Sequence, residues 1–245
     1  PRRRRHPRLR RQPPAVIGAS GRRRAAPLPE PPDREPVNGW LHVGGAVLAA
    51  VGLVVLAHTA AARGTVRHVV AACAFGVTAI AMFAASALYH LARRSPRGPL
   101  YKRLDHAMIY LFIAGSYTPV CLVALHGTVT GPALLVAVWT LALAGIVQKL
   151  RWPVAPRWAS TALYLGLGWL GLVSLPALLR TGHGAVVAWL VAGGVLYTLG
   201  AVCYVRRWPR GWPGRYGFHE LWHTFVLLAS ASHWWMVLAH VLPDT

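Results

Sequence analysis

Apolar residues fall in seven runs of bilayer-spanning length, near 40–61, 67–92, 105–126, 132–149, 158–179, 184–205 and 217–241. A hydrocarbon core is crossed by about 20 such residues in a helix, so the pattern predicts seven transmembrane helices. The connections carry turn residues: SPRGP at 95–99, HGTVTGP at 126–132, WPVAP at 152–156, TGHG at 181–184 and WPRGWPG at 208–214. Pro119 and Pro176 are expected to bend their spans. The Gly-rich stretches YLGLGWLGL and VAGGVLYTLGAV are expected to let helices pack closely. Trp40, Tyr101, Trp152, Trp158, Trp208 and Trp212 gather near span ends, as an interfacial belt does.

Charge adds direction to this pattern. Only 13% of residues are charged, against about 25% in a soluble domain, which excludes an ordinary soluble protein. Residues 1–34 are rich in Pro and Arg and lack apolar periodicity. They read as a disordered cytoplasmic tail, and residues 35–245 as the seven-helix transmembrane domain. Ala15–Ser20 is too short and polar for the apolar core of a signal peptide. The basic tail has no aromatic or helical pattern that would point to nucleic acid as a partner. Lys and Arg then alternate between connections. Arg93, Arg94, Arg97, Lys102 and Arg103 fill the second; Lys149, Arg151 and Arg157 the fourth; Arg206, Arg207, Arg210 and Arg215 the sixth. The first connection has Arg63 and Arg67, the fifth Arg180, and the third none. The alternation puts the N-terminus in the cytoplasm and the C-terminus outside. An integral, multi-pass protein of the plasma (inner) membrane is the expectation.

Against this background the ionisable residues stand out. Between residues 39 and 243 the only acidic side chains are Asp105 and Glu220. The orientation places SALYH (86–90) at the cytoplasmic end of the second span, Asp105 at the start of the third, and His219 and His223 in the first turns of the seventh. His90, Asp105, His219 and His223 therefore meet in one layer. Ionisable groups in a membrane are costly and usually functional. Residues four apart on a helix are offset by about 40° and about 6 Å. His219 and His223 thus share a face, as do Ser86 and His90. His233 lies about 15 Å beyond His223 on the same stripe, and is expected to hydrogen-bond in the core.

Three imidazoles with an open position suit a catalytic Zn2+, and a carboxylate can orient or deprotonate its water. HELWH also matches the H-E-x-x-H protease pattern, with Glu220 as base, but no further ligand follows it. Haem ligation by paired histidines is another alternative. The serine and aspartate beside the histidines favour a metal-bound water. His42, His58, His68, His126 and His183 read as solvated or interfacial. Cys73, Cys121 and Cys203 read as small buried hydrophobes.

EPVN (35–38) before the first span, SALYH, LDHAMIYLFIAGSYTP (104–119) and FHELWHTFVLLASASH (218–233) resemble the hemolysin III family. That family is the bacterial branch of the progestin and adipoQ receptor superfamily. The resemblance implies a seven-helix membrane protein with zinc near the cytoplasmic face, held by His90, His219 and His223. Asp105 would hold the zinc-bound water, with Ser86 beside it, and Glu35 and Asn38 would be structural or site-capping. The related receptors and the wider group of alkaline ceramidases imply hydrolysis of a lipid amide, with a membrane lipid as substrate or ligand. Two non-enzymatic readings stand beside this one: a membrane-perturbing haemolysin, and a sensor that uses zinc structurally.

Overall fold

The computed structural model describes residues 35–62, 64–152, 156–209 and 216–243. The expected disorder of residues 1–34 lies outside that range, as does Trp212. Arg34–Thr245 is one compact unit. Its elements are α1 (Glu35–Ala62), α2 (Val66–Ala92), α3 (Gly98–Pro119), α4 (Thr130–Arg151), α5 (Arg157–Trp169), α6 (Leu175–Arg180), α7 (Gly184–Arg206) and α8 (Phe218–Met236). A π-helical turn, Val120–Ala124, prolongs α3, and another, Val237–Val241, prolongs α8. Among the described residues seven helices are long and apolar enough to cross a membrane, the fifth being Arg157–Arg180.

Two spans begin earlier than the apolar pattern indicates. The third starts at Gly98, not 105, with Pro99 in its first turn, where a missing N–H is harmless. The apolar run stops short of Lys102 and Arg103, but their long stems let the helix continue. Arg103 reaches across to the Leu150 carbonyl at 3.5 Å. The first helix starts at Glu35, so the EPVN segment lies inside it rather than before it. Asn38 and His42 thereby become neighbours, one turn apart on one helix face.

The third span is the central one. In its apolar window 61% of residues are buried, against 22% in the first span. Helix α2 packs on α1 and α3, α3 on α4, α7 on α8 and α5, and α1 on α8. Phe75, Phe83, Phe112 and Met236 lie in the main buried cluster. Val47, Leu48, Val51 and Val54 of α1 face outward, as a lipid-facing stripe does. Trp40, Trp152, Trp158 and Trp208 are exposed near span ends, where the interfacial belt was expected.

Close packing at glycine holds through VAGGVLYTLGAV and, in YLGLGWLGL, at Gly171, where a Cβ would sit 3.1 Å from the Tyr117 hydroxyl. A Cβ on Gly193 of α7 would sit 2.2 Å from the His233 Nε2 atom, so this glycine seats the histidine. Gly166 and Gly168 of YLGLGWLGL face open space. That segment is instead where the fifth span changes pitch, through a 3-10 turn at Leu170–Ser174 ahead of Pro176. Pro176 has no N–H to continue the α-helical ladder. Tyr117 of α3 tends the exposed backbone: its hydroxyl donates to the Leu167 carbonyl at 2.9 Å and accepts from the Gly171 N–H at 2.6 Å. The cysteines divide. Cys121 is buried and Cys203 half-buried, but Cys73 is exposed, because its position on α2 faces away from the bundle.

Candidate metal centre

The site is built where three helix ends meet. Helix α2 finishes with Ser86 and His90 one turn apart, both buried. The 93–97 turn leads into α3, whose Asp105 lies buried two turns in. Helix α8 opens with His219 and His223 on one face. Hydrogen bonds between α1 and α8 bring the first turns of α1 to the same end.

One ring nitrogen from each of His90, His219 and His223 lies within 4.8 Å of the other two. Among the described residues this is the one cluster able to hold a metal. The ring centroids are 4.7–5.2 Å apart. His90 stands edge-on to both α8 rings, at 65° and 83°. Edge-on rings present nitrogens to a common centre. A four-coordinate divalent ion at about 2.0–2.1 Å from each nitrogen needs them about 3.4 Å apart, a change within reach of side-chain rotation. The chemistry of the donors fits: three imidazoles, no thiolate, in a buried place. Moreover the Nε2 atom of His223 is buried and has no hydrogen-bond partner. A buried polar atom left unpaired requires an explanation, and a metal ion supplies one.

Asp105 and Ser86 are buried at this end but are not members of the cluster. Glu220 is not a member of it either. Its Oε2 atom accepts the Gly217 N–H at 2.9 Å, closing the first turn of α8. That contact removes the reason to read HELWH as a protease base. His233 packs on Tyr197, 5.8 Å between centroids, and its ring hydrogen-bonds the Leu190 backbone.

Two of the histidines expected to be solvated are not. His68 is fully buried and bonded to Thr65. His42 is 1% exposed, and its Nε2 lies 2.5 Å from the Nδ1 of His223. Their nearness to helix starts suggested an interface, but α1 begins two turns before His42. The i, i+4 spacing of Asn38 and His42, which repeats that of His219 and His223, was the signal available in the sequence. Lys149 also surprises: it is buried and donates to the Ser160 hydroxyl at 2.6 Å.

Comparison with known proteins places this geometry. A family model described as "Haemolysin-III related" matches residues 32–234. Hemolysin-3 of Bacillus cereus is 38% identical over 211 residues, covering 85% of this chain and 92% of that protein. The Hemolysin-3 homolog of Bacillus subtilis (strain 168) is 36% identical over 204 residues, covering 83% and 92%. An adiponectin receptor protein of Drosophila melanogaster is 26% identical over 238 residues, covering 80% of this chain and 48% of the receptor.

Proposed function

The chain belongs to the haemolysin-III-related family, and from that premise we propose that its imidazole cluster holds zinc and serves the hydrolysis of an amide bond in a membrane lipid, as a ceramidase does. The protein is a multi-pass bacterial membrane protein. The observation that carries the proposal is the cluster itself. Three imidazoles from two spans converge, and one of them has an unpaired buried nitrogen. His42 and His233, outside the cluster, each have one buried unpaired ring nitrogen as well, so it is the convergence of the three rings that carries the reading.

Zinc, when bound, supplies a Lewis acid that polarises a carbonyl and activates water. The protein's part is to hold it on His90, His219 and His223, leaving one position open. Asp105 would accept the proton released as water adds to the amide carbon and return it to the amide nitrogen as the C–N bond breaks, leaving a carboxylic acid and an amine. Being buried, it is kept apart from bulk water. In this reading the Ser86 hydroxyl, one turn from His90, hydrogen-bonds the reacting oxygen. In this reading the basic connections at this end of the bundle face the cytoplasm and the C-terminus lies outside. The lipid-facing walls are apolar, so the substrate enters from the bilayer.

The test is metal analysis and ceramide turnover on the purified protein, beside a His219→Ala/His223→Ala variant and Asp105→Asn. The parent retains zinc and the double variant loses it. Asp105→Asn keeps the metal and loses turnover. Equal metal in parent and double variant sinks the ligand assignment, and undiminished turnover in Asp105→Asn sinks the role of the carboxylate.

The name of the Bacillus cereus relative motivates a second reading, a membrane-perturbing protein. Liposome leakage that survives removal of both α8 histidines would favour it over hydrolysis.

A further inference from the structure

Resting on the metal reading above, we infer that α1 sets the tautomers of the two α8 ligands, with Asn38 and His42 as positioning residues. Asn38 and His42 are one turn apart on α1, as His219 and His223 are on α8. The two pairs face each other in register. Asn38 Nδ2 lies 3.4 Å from His219 Nδ1, and His42 Nε2 lies 2.5 Å from His223 Nδ1. Both contacts bridge the same sequence separation, 181 residues, so α1 and α8 run parallel here. Asn38 and His42 are almost wholly buried, at 0% and 1% exposure.

The chemistry follows from what each nitrogen can do. A neutral imidazole has one N–H and one lone pair. If His223 donates from Nδ1 to His42 Nε2, its own Nε2 carries a lone pair into the cluster. If His42 donates instead, the proton of His223 sits on Nε2 and blocks a metal there. Only the first arrangement is compatible with the unpaired His223 Nε2 serving as a ligand. His42 is then the acceptor.

Asn38 repeats the logic. Its Oδ1 is buried and unpaired while Nδ2 faces His219. The two ends of an amide are distinguished only by their partners. Turning the amide over lets Oδ1 accept the Nδ1 proton of His219 and frees the far nitrogen of that ring for the metal, while the amide nitrogen takes the place without a partner. Outer partners of this kind fix ring orientation and raise ligand basicity. His42 is no fourth ligand in this arrangement. Its Nε2 is engaged by His223 Nδ1, on the side of that ring away from the cluster.

The experiment compares parent, His42→Phe and His42→Gln as intact proteins in detergent micelles. Phe keeps a ring against Phe83, whose centroid lies 5.5 Å from that of His42, but removes the acceptor. Gln restores an acceptor. Zinc affinity is read by chelator competition, and the number of coordinated imidazoles by X-ray absorption. We expect His42→Phe to bind about 10–100-fold more weakly and His42→Gln to recover most of the loss. The imidazole count stays the same in parent and His42→Gln. Parent-like affinity in His42→Phe overturns the inference while leaving the metal site intact. A missing imidazole in His42→Gln overturns it in favour of direct ligation. A parent that binds no zinc removes the metal reading and this one together. If His42→Phe does not fold, Asn38→Leu makes the same comparison at His219.

Discussion

Replacing Gly115 by Ala tests the packing between α2, which carries His90, and α3, which carries Asp105. Gly115 of α3 lies against α2. A Cβ there would meet the Thr78 Oγ1 at 1.9 Å, the Thr78 Cβ at 2.8 Å and the Ala74 carbonyl oxygen at 2.9 Å. Rotating Thr78 clears the first contact only by breaking its bond to the Ala74 carbonyl, 2.6 Å long. The contact with the Ala74 oxygen cannot be relieved that way, since it is backbone. Ordinary Cβ contacts begin at 3.4 Å, and rotation does not move the Thr78 Cβ either, so α2 and α3 must part by about 0.6 Å. Overpacking of this kind costs about 1–3 kcal/mol. Gly166→Ala is the internal contrast. Gly166 lies within α5 and meets nothing within 4 Å. Alanine there gains up to about 1 kcal/mol of helix propensity. Reversible unfolding in mixed micelles, followed by circular dichroism, should move the two midpoints in opposite directions. If Gly115→Ala is as stable as the parent, or Gly166→Ala falls as far, the packing argument is wrong.

Three further outcomes concern the site and its surroundings. Zinc at 100 times its dissociation constant should stabilise the parent by about 2.7 kcal/mol, and the gain should vanish in His219→Ala/His223→Ala. A thermal melt with and without chelator reads this; an equal shift in both proteins would place the zinc elsewhere. Glu220→Ala should lower stability by about 0.5–2 kcal/mol through loss of the contact with Gly217, yet keep its metal on elemental analysis. Loss of metal with the helix intact would put that carboxylate in the site after all. Ser160→Ala should cost about 1–3 kcal/mol by stranding the buried Lys149 ammonium, and adding Lys149→Met should restore most of it. Denaturant midpoints of the single and double variants decide the matter.

The seven spans were legible because apolar runs of bilayer length leave few other solutions. Their ends were less so. Lys102 and Arg103 hid the start of α3, since a charged residue can sit in a helix and still send its head to water. The meeting of His90 with the α8 histidines followed from chain direction and helical spacing alone. His42 and His68 did not follow, because burial depends on which face of a helix meets its neighbour; α1, which carries His42, shows no strong apolar periodicity, and His68 lies in the first turn of α2. Lys149 misled for the same reason. Its partner Ser160 sits across a connection, where sequence spacing carries no information about contact.

The pairing of Asn38 and His42 with the last helix has a consequence for biosynthesis. During translation α1 leaves the ribosome 181 residues before its partners do. At about 5–20 residues per second that interval is about 10–35 s. Throughout it two polar side chains that end up wholly enclosed must be sheltered by insertion machinery or by water at the membrane surface. A chain cut short before α8 would retain that exposed polar face, which quality-control proteases can recognise.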